Sequence, residues 1–455
     1  MVMRNAAEER ILPLLRPTDT ERQYIREIAD RILAEIKKSG KAEGMVVGSI
    51  ARQTWLRGDH DLDVFMLFDP SISREDLERD GLDLARSIAA SLTDRYHEKY
   101  AEHPYINASV DGIDVDLVPC YKVESAKKIQ SAVDRTPFHT RYIIGKIDDL
   151  VDDVLLLKRF AKAGGIYGSD QMTEGFSGYL CELLVLHFGG FVPLLQAAQR
   201  WRPHELIDPE KHGAKKFEEP LIVIDPVDPR RNVAAAVSLD KMAAFIELAR
   251  GYLAAPSDAF FELNIINSIS REDLAALLAH RQTHLFAITF STPPYIEEVV
   301  VPQLKRSTIA IGEHIERNGF AVHHAHYTMQ PDNCMILFEL LYGELPAVRT
   351  HFGPPVWNRD NAEKFREKHI LSPLPGPFIH EGRYEVEVPR EYTSAEALFS
   401  AQALEGVSLA KHIRLSIEHG YDLKQGSECW SPEFATFIAG FFSRCSPMTR
   451  IERKG

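Results

Sequence analysis

The sequence predicts a multidomain α+β protein, and three observations lead to this prediction. The chain has 455 residues, which corresponds to about three domains at the usual size of roughly 100–200 residues each. Strand-like and helix-like patterns alternate through residues 1–120, and helical patterns then continue to Leu253. Beyond Pro256 the strand-like runs return in the order strand, helix, strand, strand, which is typical of a small antiparallel sheet covered by helices.

The composition narrows the class of protein. Hydrophobic residues make up 45% of the chain and charged residues 26%, as in globular proteins with sizeable cores. The net charge of -13 argues against a protein that coats nucleic acid through its overall charge, although a local basic groove remains compatible with it. Glu8 and Glu9 precede any long apolar run near the N-terminus, so no signal peptide is expected, and Glu182 and His187 interrupt the most apolar later stretch, so no membrane span is expected.

The five cysteines are widely spaced and never form a Cys-x-x-Cys pair. The sequence therefore predicts neither a disulfide framework nor a zinc site, and a reducing cytoplasm is the expected location. Cys120 follows a strand-like run and is expected to be a small core residue rather than a nucleophile.

The first elements alternate between helix and strand. Isoleucines at helical spacing predict an amphipathic helix over residues 20–39, with Thr20 near its start. Residues 45–47 and 62–68 are rich in β-formers and are predicted to be strands. The pattern over residues 77–100 is again predicted to be helical.

A hairpin and a further helix follow. Residues 106–110 and 113–118 are predicted to pair as a hairpin, because Asp111-Gly112 lies between them. An apolar stripe predicts a helix over residues 150–163, which ends at Gly164-Gly165.

The last third contains the returning strands. Residues 285–290 are predicted to be a strand and residues 296–317 a helix. Two more strands are predicted over residues 321–327 and 335–341.

The most informative motif joins a Gly-Ser turn to two aspartates. Residues two apart on a strand point to the same side, so Asp61 and Asp63 should project together while the residues between them face the core. Two carboxylates at such a short distance repel each other unless a cation neutralises them. A divalent metal is therefore the expected occupant of the space between them. Upstream, Gly48 permits close approach to a phosphate, Ser49 offers a hydroxyl and Arg52 can bind phosphate oxygens.

A third carboxylate comes from the hairpin. Asp114 and Asp116 alternate with apolar residues, and one of them could complete a two-metal centre. Alternation alone does not separate the two. A solvated strand face is the structural alternative for a lone Asp-x-Asp, but the Gly-Ser turn ahead and the second aspartate strand behind argue against it.

The order of these motifs resembles the nucleotidyltransferase superfamily that includes DNA polymerase β, and more narrowly the archaeal-type, class I CCA-adding enzymes. Asp61 and Asp170 stand where those relatives often carry Glu, and Asp61 still supplies an oxygen ligand. The resemblance also rests on five further motifs, which are residues 137–142, residues 157–168, residues 175–184 with Glu182, residues 228–234 and residues 351–356.

The resemblance implies an N-terminal polymerase β-like nucleotidyltransferase domain over residues 1–141, a helix-rich central nucleotide-binding domain over 142–256, and an α+β C-terminal tRNA-binding body and tail over 257–455. Site roles are implied as well. The magnesium ions would be held by Asp61, Asp63 and Asp116, and the incoming nucleotide would be contacted by Ser49, Arg52, His139, Lys158, Tyr167 and Arg230, of which Arg230 would reach the base edge.

Four of these six nucleotide-binding residues have a structural alternative. His139 could be a capping or core histidine, and Lys158 could belong to a solvated basic face. Tyr167 could pack at a helix end, and Arg230 could form an ion pair with Asp228.

The implied activity is that of a transferase that attaches C, C and A to the 3′ end of tRNA from CTP and ATP and releases pyrophosphate, with Mg²⁺ as cofactor. The tRNA would be recognised through its acceptor and T stems. A poly(A) polymerase-like or small-substrate nucleotidyltransferase could use the same carboxylates, and a non-catalytic RNA-binding protein could share the fold. The sequence leaves the choice between monomer and homodimer open.

Overall fold

The computed structural model describes residues 4–100, 104–213, 216–400 and 404–454. These residues form two compact units. The first unit runs from the start of the described chain to Ile265 and includes the described residues after Arg444, and the second unit runs from Ile266 to Arg444. The predicted multidomain α+β class is confirmed, because both units combine helices with sheets. The division into three domains at residues 141 and 256 stays a prediction.

The first unit contains ten α-helices and seven strands among the described residues. In chain order these are α1 (Ala6–Leu15), α2 (Asp19–Ser39), β1 (Glu43–Val46), α3 (Gly48–Ala51), β2 (Asp61–Phe68), α4 (Arg74–Leu92), β3 (Tyr96–Tyr100), β4 (Pro104–Val110), β5 (Ile113–Tyr121), α5 (Thr136–Ile143), α6 (Val151–Ala163), α7 (Gly178–Phe188), α8 (Phe191–Ala198), β6 (Glu205–Ile207), β7 (Leu221–Val223), α9 (Leu239–Ala254) and, after the second unit, the helix Pro447–Lys454.

The helix α2 shows how local sequence fixes an element. Thr18 caps its start, because its hydroxyl accepts from the Glu21 amide while the Glu21 carboxylate accepts from the Thr18 amide. Gly40 ends it in the left-handed conformation, at φ 66°. The helix therefore begins one residue before the predicted start at Thr20.

Five strands form the N-terminal sheet in the order β1-β2-β5-β4-β3. The central pair β2 and β5 is parallel, and the other pairs are antiparallel. One face of the sheet packs against α2 and α4 through a core that includes Leu62, Val64, Val115 and Leu117. Because side chains alternate along a strand, the aspartates of β2 and β5 lie on the opposite face, as the sequence predicts.

One prediction in this region is wrong. The helical pattern of residues 77–100 ends at Leu92, where Thr93 turns to an extended conformation. Residues 96–100 instead form the edge strand β3, which pairs antiparallel with β4. Pairing with a neighbouring strand overrides the local pattern here, and aromatic residues such as Tyr96 suit a strand.

The rest of the first unit is mainly helical. Helices α6 to α9 pack around a core that contains Phe160, Leu184, Phe191 and Phe245, and β6 pairs with β7 in a short parallel ribbon. No single helix of the described residues has both the length and the apolar composition needed to cross a membrane. The pair α7 and α8, which meet at 91°, passes that test only when taken together.

The helix Pro447–Lys454 returns to this unit and packs on α9. The Arg450 guanidinium donates to the Ala163 carbonyl at 2.5 Å, and the Ser446 hydroxyl donates to Glu247 at 2.9 Å. Met448 fills the space beside Gly251, where a Cβ would lie 2.3 Å from its sulfur. The first unit is thus assembled from two separate stretches of the chain.

The second unit is an α+β body with a small additional sheet. Its elements are α10 (Arg271–Arg281), β8 (His284–Ser291), α11 (Glu297–Arg317), β9 (Val322–Met329), β10 (Asn333–Leu340), β11 (Val348–Pro355), α12 (Arg359–His369), β12 (Phe378–His380), β13 (Arg383–Pro389), α13 (Ala395–Leu398), α14 (Lys411–His419), β14 (Asp422–Gln425) and α15 (Ala435–Phe442).

The predicted order of strand, helix, strand and strand is present as β8, α11, β9 and β10. These strands form an antiparallel sheet in the order β14-β8-β10-β9. One face carries a core with residues of α11 and α14, and the other a core with residues of α10 and α15. The second sheet, β11-β13-β12, is covered by α12.

Candidate active site

Four aspartates face one another on the paired strands β2 and β5. The parallel register sets Asp61 opposite Asp114 and Asp63 opposite Asp116. Asp61 and Asp114 are exposed at the strand starts, whereas Asp63 and Asp116 are half-buried one step further along. The register therefore distinguishes the two aspartates of β5, which the alternation pattern leaves equivalent, by pairing Asp116 with the more sheltered Asp63.

The local charge makes this place suited to a cation. Burial and the facing Asp116 carboxylate raise the pKa of Asp63 to about 6, and burial likewise raises the pKa of Asp116 and of Asp61. The Asn107 amide donates to Asp116 Oδ1 at 2.6 Å and fixes that carboxylate. Carboxylate oxygens are ligands that Mg²⁺ and similar hard cations prefer, and a bound cation would offset the repulsion between them. These residues therefore fit a divalent metal.

The Gly-Ser turn packs directly on Asp63. The Val47 amide donates to the Asp63 carbonyl at 3.0 Å. Gly48 has φ 71°, and a Cβ there would lie 2.1 Å from Asp63 Oδ2, so only glycine fits this close approach. Ser49 follows in α3 and is half-buried. The turn that the sequence predicts to meet phosphate thus lies at the carboxylate face.

Arg52 and Lys158 meet at a shared carboxylate. Glu182 of α7 is fully buried, and its Oε2 lies 2.7 Å from Arg52 Nε. That contact is an ion pair whose angle does not make a hydrogen bond, so neither atom has a hydrogen-bond partner. Lys158 is 2% exposed, and its ammonium lies 3.8 Å from Glu182 and donates to the Thr54 carbonyl at 2.7 Å. Burial lowers the pKa of Lys158.

Two tyrosines line the same network. A Cβ on Gly178 would lie 3.1 Å from the Tyr167 hydroxyl and 3.6 Å from the Lys158 ammonium, which places both groups beside the start of α7. The Tyr179 ring stacks on His139 with 4.2 Å between ring centres, and the Arg52 guanidinium lies 6.0 Å above that ring. Burial raises the pKa of both tyrosines, so both hydroxyls stay protonated at neutral pH.

His139 is held by an aspartate. Its Nε2 lies 2.8 Å from Asp225, which also accepts from Arg231 at 3.0 Å. Although burial acts to raise it, hydrogen bonding to His139 and Arg231 brings the pKa of Asp225 below its usual value. The imidazole of His139 is therefore held in place by a buried carboxylate.

Arg230 lies on the turn that follows. Its Nε donates to Asp228 Oδ1 at 3.0 Å, and Asp228 also accepts from Arg135 at 2.9 Å. The Arg230 side chain remains 70% exposed, and its terminal nitrogens make no hydrogen bond to any residue in the described part of the chain. The ion pair with Asp228, raised above as the structural alternative, is present and anchors the arginine by one nitrogen.

Most of the predicted nucleotide-binding residues thus lie in one connected network, and Arg230 lies beside it. Arg52 is linked to the helix of His139 by a 3.2 Å hydrogen bond to Thr140, and to Lys158 through Glu182. The solvated face proposed as the alternative for Lys158 is wrong, because its ammonium is buried. Arg230 is linked through Asp228 to Arg135, the residue that immediately precedes α5. Cys120 is buried, and burial raises the pKa of its thiol, which agrees with a core role.

Sequence reasoning assigned no site role to Glu182, Asp225 or Asp228. A signal existed for Glu182, since it is a lone acid inside an apolar helix. Buried carboxylates are almost always paired, and that rule alone predicts a cationic partner for it.

A second group of potential metal ligands lies in the other unit. His323, His324 and Glu339 have ligand atoms within 4.8 Å of one another. Glu339, however, already accepts two hydrogen bonds from Arg281, at 2.7 and 3.0 Å, and one from Thr283 at 2.6 Å. The adjacent guanidinium cation neutralises this carboxylate, so Glu339 is better described as the buried member of an ion pair with Arg281 than as a metal ligand.

Comparison with known proteins gives matches over nearly the whole chain. The family model of the nucleotidyltransferase domain matches residues 25–139, that of the tRNA nucleotidyltransferase second domain matches residues 152–262, and that of the CCA-adding enzyme C-terminal domain matches residues 281–426.

Three curated relatives are similar at full length. The CCA-adding enzyme of Methanoregula boonei is 66% identical over 447 residues, which cover 98% of this chain and 97% of the relative. The CCA-adding enzyme of Methanosarcina acetivorans is 38% identical over 94% of this chain and 96% of its own. That of Haloarcula marismortui is 40% identical, again over 94% and 96%.

Proposed function

The chain belongs to the family of CCA-adding enzymes, and from that premise we propose how its carboxylate site carries out the reaction. The protein is a tRNA nucleotidyltransferase that adds C, C and A to tRNA. The observation that carries this function is the 66% identity to a CCA-adding enzyme along nearly the entire length of both chains. A poly(A) polymerase-like activity is not favoured.

Asp61, Asp63 and Asp116 would hold the divalent metal, which we take to be Mg²⁺. Two observations support this assignment of the metal ligands: the strand register and the raised pKa of Asp63. Magnesium bound there would lower the pKa of the terminal ribose hydroxyl of tRNA and steady the triphosphate with its leaving group. None of the residues at the site is required as a covalent nucleophile, because the ribose hydroxyl itself attacks.

The remaining residues would bind and orient the nucleotide. Ser49, at the turn that packs on Asp63, would donate to the phosphates, and Arg52 and Lys158 would supply positive charge. The hydroxyl of Tyr167 lies beside Lys158 and stays protonated, so it can donate a hydrogen bond. His139, held by Asp225, would contact the nucleotide from α5.

The reaction itself is tested with purified protein, Mg²⁺ and tRNA that lacks its 3′ CCA, with each labelled nucleotide supplied in turn. We expect C from CTP first, A from ATP only after both C residues, and release of one pyrophosphate for each addition. Extension into a homopolymer would indicate the poly(A) polymerase-like alternative. A lack of metal-dependent pyrophosphate release would indicate a non-catalytic RNA-binding protein. We place the reaction in the cytoplasm, which agrees with five free cysteines.

Arg230 is predicted to help select C and A over U and G. Its Nε is fixed by Asp228, so the guanidinium presents its remaining donors in a set direction and offers no acceptor. Arg230→Ala should lower CTP and ATP incorporation by about tenfold or more, the effect of losing a charge-assisted hydrogen bond, and should narrow their advantage over UTP and GTP. Steady-state kinetics with all four nucleotides provide the measurement.

Arg231→Ala is the companion variant, because Arg231 binds Asp225 rather than Asp228. We expect Arg231→Ala to weaken binding of all four nucleotides without changing their ranking. Weaker binding with unchanged discrimination in Arg230→Ala would reduce Arg230 to a phosphate or structural contact.

The acceptor and T stems of tRNA are the proposed recognition elements. The overall charge of -13 leaves binding to local basic surfaces, which suit a compact part of the RNA. A minihelix made of these two stems should therefore be nearly as good a substrate as whole tRNA, with kcat/KM within about threefold, since few phosphate contacts would be lost. Failure of the minihelix at saturating concentration would show that essential contacts lie elsewhere in the tRNA.

A further inference from the structure

We infer that Glu182 is a positioning residue, which holds Arg52 and Lys158 in the arrangement that binds the triphosphate of the incoming nucleotide. This inference rests on the proposed function for the roles of the two cations. Glu182 would touch no substrate itself and would act only through the cations. Three features of the structure support it.

The first feature is location. Arg52 follows α3 and Lys158 lies in α6, more than 100 residues apart. Glu182, from a third helix, α7, lies 2.7 Å from the guanidinium of one and 3.8 Å from the ammonium of the other. A single side chain therefore fixes the separation between a cation next to the carboxylate sheet and a cation from the helical part of the same unit.

The second feature is the set of partners. The Thr54 hydroxyl donates to Glu182 Oε1, and the Thr54 carbonyl accepts from Lys158 at 2.7 Å. The Arg52 guanidinium also donates a 3.2 Å hydrogen bond to the Thr140 hydroxyl, which holds it from a second side. Glu182 is fully buried, so no solvent competes for it, and its direction is set by the helix and by Thr54.

The third feature is the charge balance. Within this group of three, two buried cations share one carboxylate, which leaves a surplus of one positive charge when all three are ionised. A buried surplus of that sign favours an incoming polyanion such as a triphosphate. Without the carboxylate, two like charges would repel each other and their spacing would no longer be fixed.

The triphosphate is common to CTP and ATP, so loss of the Glu182 charge should affect the two nucleotides equally. Glu182→Gln keeps the shape of the side chain and removes its charge. It should raise the KM for CTP and for ATP by the same factor, at least about tenfold for loss of a buried charged contact, and leave the preference over UTP and GTP unchanged. Base selection would change in Arg230→Ala instead.

Direct binding of inorganic tripolyphosphate, followed by calorimetry, gives a readout that requires no catalysis. Its dissociation constant should rise by the same factor as the KM in Glu182→Gln. Glu182→Asp restores the charge on a shorter side chain and should recover part of both values.

Glu339→Gln is the matched control. Glu339 is also fully buried and also accepts from an arginine and a threonine hydroxyl, but it lies in the second unit. Its substitution should lower the melting temperature without changing nucleotide KM or tripolyphosphate binding. A loss of fold caused simply by removing a buried ion pair is thereby separated from a loss of phosphate binding.

Two outcomes would overturn the inference. One is a folded Glu182→Gln with wild-type affinity for tripolyphosphate. The other is a tighter affinity, which would show that Glu182 competes with the phosphates. If Glu182→Gln does not fold, Glu182→Asp decides, because wild-type values in that variant contradict a positioning role. Wild-type protein that adds neither C nor A would refute the proposed function, while the binding series would still test Glu182.

Discussion

Replacing Asp63 by Asn should lower CTP and ATP incorporation by at least about 1000-fold, which is roughly 4 kcal/mol of transition-state stabilisation. Asp63 is the most sheltered of the β2 carboxylates, faces Asp116 directly, and packs against the Gly48 turn. The amide keeps the shape and one oxygen but removes the charge that would hold the metal. Single-turnover incorporation of labelled CTP measures the effect.

The same variant should not be less stable. The pKa of Asp63 is raised to about 6, so the ionised carboxylate costs folding free energy once the pH exceeds its unfolded-state value. In buffer with a chelator at neutral pH, Asp63→Asn should therefore melt at the wild-type temperature or a few degrees higher. Added Mg²⁺ should stabilise the wild type more than the variant. Near-normal turnover in Asp63→Asn would refute the metal assignment.

Alanine at Asp116 should abolish activity to a similar degree, again by at least about 1000-fold, while alanine at Asp114 should leave it within about threefold. Asp116 is half-buried, opposite Asp63, and is fixed by Asn107. Asp114 is exposed at the start of β5, opposite the exposed Asp61. The two substituted positions lie two residues apart on the same face of β5, so each variant is the control for the other.

The reverse result would show that the metal sits nearer the strand starts. In that case Asp114→Ala would be inactive and Asp116→Ala would retain turnover. Metal-dependent melting of both variants separates loss of the ligand from loss of the fold.

The carboxylate site could be predicted from the sequence because its geometry is local. Alternation along a strand places Asp61 and Asp63 on one side whatever the rest of the chain does. The partner strand carries a second Asp-x-Asp motif, and pairing of two such strands brings the groups together. What alternation does not give is the register, and it is the register that pairs Asp116 with Asp63.

The supporting residues could not be predicted in the same way because their partners are distant in sequence. Glu182 meets Arg52 across 130 positions, and Asp225 meets His139 across 86. Spacing carries no information about such pairs. The misassigned strand β3 has the same origin, because its conformation depends on pairing with β4.

The two-stretch construction of the first unit has a consequence for biosynthesis. The helix Pro447–Lys454 packs on α9, yet roughly 180 residues of the second unit are translated between them. At about 5–20 residues per second, the ribosome needs roughly 10–40 s to bridge that interval. During this time the α9 surface near Gly251 lacks the contact with Met448. The second unit can fold in the meantime as an insertion between the two stretches, so the first unit is completed only after the whole second unit has been translated.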